Sequence, residues 1–345
     1  MNEQMTPRER VLAAFKRLPY DRIPVINPVS IVIRESMVKT GSFFPQAHYD
    51  AAKMALLAEA GHDFIGFDCV SPYFSVCNEA SALGCSISWG SVNQLPAIRT
   101  YITYDQLNVK PDSEYIAKKP IRTIIEAIKL LKKTYGNNVA IVGKVIGPWT
   151  LSFNLFSTQK MLTNLVLNFE YVRELICLLN EYILKFIEAQ LDAGADIITI
   201  SDDAAGDFLS LDGYRMLILP LHQKINKLIH SAGSHSIIHL NGGILDKLSS
   251  FVDAGFDAVN MDSYNPLPAA KKIINGSMLV CGGLNVPQVL LTGAKEDVIN
   301  EVVYYMNNKI DILAPDGMLL MGVPSENLKA VFNGISKFHS QIKNY

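Results

Sequence analysis

Short runs of consecutive apolar residues alternate along the chain with longer stretches in which apolar residues recur every three or four positions. The stretch FEYVRELICLLNEYILKFIEAQLDA has the spacing and length of a helix. The short runs are apolar at successive positions, which is the pattern of strands buried on both faces of a parallel sheet. Eight strands are predicted, at residues 25–30, 64–70, 140–147, 196–203, 236–242, 258–263, 278–285 and 318–324. A weak repeat punctuates them. Ala60-Gly61-His62-Asp63, Ala193-Gly194-Ala195-Asp196 and Ala254-Gly255-Phe256-Asp257 each precede a run, and Ala232-Gly233 precedes another. Glycine ends a helix well because it accepts the left-handed conformation at that position. Strand–helix alternation of this count predicts an α/β protein with a closed (β/α)8 TIM barrel. An open doubly wound sheet would bring a glycine-rich phosphate loop after its first strand, and none follows VINPVS. The 345 residues exceed the roughly 250 of a bare barrel. The excess is assigned to an N-terminal helical extension within one domain, 1–345, because no linker-like stretch interrupts the chain.

Composition narrows the class. Hydrophobic residues make up 49% and support a large core. A net charge of -2 without a basic stripe argues against nucleic acid as the main partner. MNEQMTPRER has no apolar signal core. With no apolar run of about 18 residues, no membrane span is expected. Five scattered cysteines without a CxxC pair read as reduced thiols of a cytoplasmic protein.

In a barrel, the residues at the carboxyl ends of the strands face the active site. Those ends carry Asn27, Asp68, Lys144, Asp202, Asp203, His239, Asn241, Asn260, Asp262 and Asn285, and the eighth offers Met321 and little that is polar. A row of Asp and Asn suits a heterocycle with a donor and acceptor edge, since a carboxylate accepts two parallel bonds and an amide both donates and accepts. It does not suit a covalent nucleophile. Each such residue can equally be a helix cap or loop anchor. Lys144 reads as a substrate clamp or, preferably, a salt-bridge partner inside the barrel. A lone His239 is more often a hydrogen-bonded core residue than a metal ligand. Asp196 and Asp257, at the other end of their strands, read as structural. Cys177 and Cys281 read as packing, and Trp149 as packing in a loop over the site.

MTPRERVLAAF, DRIPVINP, FFPQAHYD and ALGCSISWG resemble the N-terminal half of the methylcobamide:coenzyme M methyltransferases, members of the uroporphyrinogen decarboxylase-like superfamily. GGLNVPQVLLTGAKEDV and ILAPDGMLLMGVPSENLKAV resemble later segments of the same family, in the same order. The resemblance spans essentially the whole chain. It implies a barrel that moves a methyl group to or from a corrinoid. Thiol-using members hold zinc with His-x-Cys and a distant Cys. Here the motif reads His239-Leu240-Asn241, and the distant position falls at Gly317. One ligand of three remains, and a single His cannot make a tetrahedral site, so no metal is expected.

Zinc serves to make a thiol a thiolate. An acceptor that needs no such activation is therefore expected, and tetrahydrofolate fits, with a neutral N5 amine and an amidine-like pterin edge. The resemblance thus points to the zinc-free methylcorrinoid:tetrahydrofolate methyltransferases of glycine betaine demethylation. On this reading Asp202 or Asp203, with Asp262, hold the pterin edge. Asn241, Asn260 and Asn285 lie near N5, and His239, Asp68, Asn27 and Lys144 line the substrate site. The chain lacks the Asp-x-His-x-x-Gly motif of corrinoid carriers, so methylcobalamin is expected on a separate corrinoid protein. A homodimer is the family habit. The rivals are a zinc enzyme using His239 with Cys281 or Asp262, a non-catalytic corrinoid-protein partner, and a uroporphyrinogen decarboxylase. The last needs an Arg-rich pocket, whereas NPVSIVIRESMV offers only Arg34.

Overall fold

The computed structural model describes residues 4–343. Seven parallel strands lie in the order β1 (Cys69–Val70), β4 (Ala140–Ile146), β5 (Ile197–Ser201), β6 (His235–Leu240), β7 (Ala258–Met261), β8 (Leu279–Leu284) and β9 (Ile312–Pro315). A separate antiparallel hairpin, β2 (Ser86–Ser88) with β3 (Ala97–Thr100), stands in the connection after β1. The eighth place is filled by residues 24–26. Ile26 N–H donates to Leu313 O at 3.0 Å, Leu313 N–H donates to Pro24 O at 3.0 Å, and Asp68 N–H donates to Val25 O at 2.7 Å. That segment joins β9 to β1 and closes a (β/α)8 barrel. A strand over the whole of 25–30 does not form. The chain turns at Asn27, whose Oδ1 accepts from the N–H groups of Val29 and Ser30.

Two further strands differ from expectation, and each difference has a local cause. Gly61 is helical (φ -61) rather than left-handed, and the helix Ala51–Ala60 runs on through a wide turn, Gly61–Ile65, to stop at Gly66 (φ 106). Gly61 serves close packing, since a Cβ there would stand 2.0 Å from the Ile31 side chain. Only 69–70 of the expected 64–70 strand is left. The last strand is 312–315, not 318–324. Lys309 takes the left-handed position (φ 58) that Gly takes elsewhere in the repeat, and Asp311 takes the place of the repeated Asp. Residues 318–324 pack as a loop, held by Leu319 N–H to Ser30 O and Arg34 N–H to Met321 O.

The interior strands form for the expected reason. β4 reads AIVGKVI and is buried throughout. The helix Phe169–Ala193 buries one stripe, including Leu175, Leu179 and Phe186, and ends at Gly194 (φ 109). The helix Pro7–Phe15 begins with a capping box between Thr6 and Glu9 and packs across the amino ends of the strands. There Arg8 pairs with Asp196 at 2.9 Å, and Phe15 stacks on His235 with ring centroids 4.9 Å apart. All five cysteines are free thiols; Cys177 is exposed on its helix rather than packed, and the other four are buried. Among the described residues no helix is long and apolar enough to cross a membrane.

Candidate active site at the carboxyl ends of the strands

β5, β6 and β7 end side by side, with β9 beyond β8, and polar residues gather at these ends. Asp203 lies just beyond β5. Its Oδ1 accepts from Asn241 N–H at 3.1 Å and from Asn241 Nδ2 at 2.9 Å, and its Oδ2 accepts from Ser201 Oγ at 3.3 Å. His239, near the end of β6, places Nε2 3.6 Å from Asp203 Oδ1 and Nδ1 2.7 Å from Asn260 Oδ1. Burial lowers the His239 pKa and the Lys144 charge lowers it further, while Asp203 and the Asn260 amide pull it up; the net direction is down. Asp262 stands next to this group. Its Oδ2 accepts from Gly242 N–H at 2.7 Å, and its Oδ1 accepts from Tyr264 N–H and Asn265 Nδ2. Asp203, His239, Asn241, Asn260 and Asp262 therefore form one cluster. Within it, the Asp203 carboxylate and the Asn241 amide oxygen keep capacity for further bonds.

Lys144 lies beneath the cluster, almost fully buried. Its Nζ donates to Val29 O at 3.2 Å and sits 5.2 Å from the Tyr73 ring centroid. Burial pushes its ammonium down to about 8, against the pull of Asp203 and Glu79. It meets a carbonyl and a ring face here, so the salt-bridge expectation is replaced by a buried cation set under the acidic mouth.

Four expected residues turn out to do other work. Asp68 is at the amino end of its strand, 1% exposed, and pairs with Arg10 at 2.6 Å and Arg22 at 2.8 Å. Its misplacement follows from the strand beginning at 69 rather than 64. Asn27 spends its amide on its own turn, with Nδ2 donating to Ser30 O at 2.7 Å. Asp202 is fully buried behind the mouth. It accepts from Thr150 N–H at 2.7 Å, at the start of the helix Pro148–Phe156, and meets His222 Nε2 at 3.1 Å. Asn285 caps the turn Val286–Leu291, its Oδ1 accepting from Gln288 N–H at 2.7 Å while Nδ2 donates to Ser263 Oγ. One lone pair of its oxygen is thereby spent on the turn. Trp149 is fully buried packing, as expected, but in that helix rather than a loop. Met321 lies in the 318–324 loop.

Two site residues were missed. Asp316 follows β9, accepts from Ser263 Oγ at 3.1 Å and Val286 N–H at 2.9 Å, and has its pKa raised by burial and by Asp262. The signal lies in the run IDILAP before it, where the repeat carries Lys309 in place of Gly. Glu79 is fully buried, accepts from Tyr73 OH at 2.6 Å and Ile146 N–H at 2.9 Å, and is pushed up to about 7 by burial. It lies between predicted strands, where nothing in the local pattern marks it.

The three positions at which the resembling family holds zinc do converge. A Cβ placed on Gly317 would stand 3.5 Å from Asn241 Oδ1, and His239 lies two residues before Asn241. The donors present are one imidazole nitrogen and an amide, which do not fit a tetrahedral zinc. The rival pairing of His239 with Cys281 does not form either. The Asn260 amide stands between His239 and Cys281, with its Nδ2 3.9 Å from the thiol, and burial pushes that thiol's pKa up. Among the described residues no group of three His, Cys, Asp or Glu side chains is placed to hold a metal. A cleft of about 420 Å³ does exist, but at the opposite end of the barrel, lined by Arg8, Lys132, Asp192, Asp196 and His235. Within it Arg8 pairs with Asp196 at 2.9 Å.

Residues 6–338 match the family model described as uroporphyrinogen decarboxylase (URO-D). The chain is similar to methylcobamide:CoM methyltransferase MtbA of Methanosarcina acetivorans, 28% identical over 94% of this chain and 96% of the relative. It is 26% identical to methylcobamide:CoM methyltransferase MtaA of Methanosarcina barkeri, over 98% of this chain and 99% of the relative. Among solved structures it is similar to a methyltransferase from Methanosarcina mazei, with a TM-score of 0.91 and 27% identity, covering 97% of this chain and 100% of that one.

Proposed function

This chain belongs to the uroporphyrinogen decarboxylase (URO-D) family, and we propose that within it the chain is a corrinoid-dependent methyltransferase carrying a methyl group from a methylcorrinoid, held on a separate protein, to N5 of tetrahydrofolate. The methyl-transfer part is supported by end-to-end similarity to methyltransferases of cobamide chemistry. The observation that supports the acceptor is the triad of positions at the mouth, where His239, Asn241 and Gly317 stand together and supply one zinc-type ligand. A thiol acceptor gains most from a metal that makes it a thiolate. An amine with a free lone pair does not need one.

Asp262, whose Oδ2 keeps one lone pair, accepts from the 2-amino group at the pterin edge. Asp203, Asn241 and His239 surround N5. Asp203 moves here from the edge-binding role because His239 and Asn241 both gather on it. N5 attacks the methyl carbon in line, the cobalt–carbon bond breaks, and its electron pair leaves with cobalt as cobalt(I). Much of the acceleration is positional. The Asn241 oxygen and the Asp203 carboxylate face the positive charge that develops on N5.

The activity named for the relatives favours a second reading, in which the acceptor is the thiol coenzyme M. A decarboxylase acting on a substrate rich in carboxylates would need cations at the mouth. The mouth instead presents Asp203, Asp262 and Asp316, and Arg34 is exposed in the helix Arg34–Thr40. Calorimetric titration of EDTA-treated protein decides between acceptors. Tetrahydrofolate binding without coenzyme M binding supports the folate acceptor. Coenzyme M binding that returns with added zinc replaces it by the thiol.

A further inference from the structure

The Asn260 side-chain amide bonds to three different elements. It is fully buried on β7, and its Nδ2 donates to two main-chain carbonyl oxygens, Cys281 O at 3.3 Å and Pro315 O at 3.2 Å. A carbonyl oxygen cannot donate. The amide nitrogen must therefore face β8 and β9, whichever way an amide could otherwise be turned. Its oxygen is left facing His239 Nδ1 at 2.7 Å. An amide oxygen cannot donate either, so Nδ1 carries the hydrogen. The neutral ring then has its lone pair on Nε2, on the side where Asp203 Oδ1 stands 3.6 Å away.

We propose that Asn260 is a positioning residue that locks His239 in the Nδ1–H tautomer, and that the Nε2 lone pair, on the Asp203 side of the buried ring, takes the proton lost by the acceptor nitrogen. This rests on the tetrahydrofolate reading. The step balances within that reaction. As the N5–methyl bond forms and the methyl–cobalt bond breaks, N5 holds four bonds and a positive charge. The N5–H electron pair then returns to nitrogen and the proton passes to Nε2. The imidazolium so formed sits between Asn260 Oδ1 and the Asp203 carboxylate, each of which favours it. Burial keeps the ring neutral beforehand, so the acceptor is ready before the substrate arrives.

The test is the long-range proton–nitrogen NMR spectrum of ¹⁵N-labelled protein at neutral pH, with the His239 signals identified by their loss in His239→Gln. The wild type is expected to show a protonated Nδ1 and a bare Nε2. Asn260→Leu is expected to lose that preference and to lower kcat for transfer from methylcobalamin to tetrahydrofolate about a hundredfold, with KM for tetrahydrofolate nearly unchanged. His239→Gln should lower kcat by at least as much. A wild-type ring protonated on Nε2 overturns the positioning role, and that spectrum decides it even where Asn260→Leu fails to fold. Wild-type turnover in His239→Gln overturns the proton step alone. A wild type with the expected tautomer but no transfer to tetrahydrofolate overturns the acceptor and the proton step with it, and leaves the positioning of the ring standing.

Discussion

The two ends of this barrel use the same residue types for different purposes. At the amino end, an Asp stands just before every second barrel strand and accepts the N–H of a residue on the neighbouring, earlier strand. Asp68 takes Val25 N–H at 2.8 Å, Asp196 takes Ile141 N–H at 3.0 Å, Asp257 takes Ser236 N–H at 2.8 Å and Asp311 takes Val280 N–H at 2.8 Å. Each carboxylate also meets a cationic or imidazole side chain. This is one device repeated, and it satisfies strand-end donors that the sheet leaves open. At the carboxyl end the duties differ. Asn27 and Asn285 shape turns, Asp202 caps a helix, Asn260 orients a ring, and Asp203 and Asn241 keep bonding capacity in reserve. Repetition at one end and heterogeneity with spare capacity at the other separate stability from chemistry more sharply than residue type does.

The largest effect expected would break that contrast by making the mouth structural. Asn241→Cys combined with Gly317→Cys completes a His-Cys-Cys set, and the double variant should retain zinc stoichiometrically after dialysis where the wild type does not. Structural zinc contributes on the order of 10 kcal/mol, and elemental analysis with thermal unfolding reads it. An unchanged zinc content would mean that the three positions do not converge.

Next is the amino end. Asp68→Ala leaves Arg10 and Arg22 buried beside an empty position. Removing one partner of a buried ion pair costs about 3–5 kcal/mol, to be read from the urea midpoint. A loss below about 1 kcal/mol would show that the arginines find water or other partners.

Asp203→Ala should do the reverse. With the side chain 35% exposed, stability should move by no more than about 1 kcal/mol, while methyl transfer falls about a hundredfold. Equal losses in both would dissolve the division between the ends.

The smallest effect is in pH dependence, and the two ends should differ in sign. Burial raises the Asp257 pKa, but His235, Ser236 N–H and His230 outweigh it, and the net shift is downward. Its contribution is present above the unfolded value of about 3.9 and is lost as the pH falls through the folded value. Glu301, whose Oε2 accepts from Asn285 N–H at the mouth, is pushed up to about 7 by burial. Its contribution is present below the unfolded value of about 4.3 and is lost as the pH rises towards 7. Asp257→Asn should flatten the acid limb of a stability–pH curve, and Glu301→Gln the limb between about 4.3 and 7. Parallel curves for either variant and the wild type would remove that residue from the account.

Much of this was legible in the chain. The alternation of apolar runs and amphipathic stretches determined the barrel, because β4 to β8 are buried on both faces and each covering helix needs an apolar stripe. The runs of β5, β6 and β7 are continuous, so Asp203, His239, Asn241, Asn260 and Asp262 fall at or just beyond the carboxyl ends of those strands, as their positions in the runs suggest. Misreadings came where one residue type serves two physical needs. Gly61 reads as a helix stop but is small for the sake of Ile31, and Lys309 holds a left-handed turn that no pattern of glycines reveals. Those two errors moved Asp68 to the wrong end of its strand and hid Asp316. Only the tertiary structure decided which polar side chains are spent and which are free. A hydrogen bond is made with residues far away in sequence, Asn260 with positions 239, 281 and 315. Whether an amide orients a ring, caps a helix or waits for a ligand is a property of those partners, not of the residue itself.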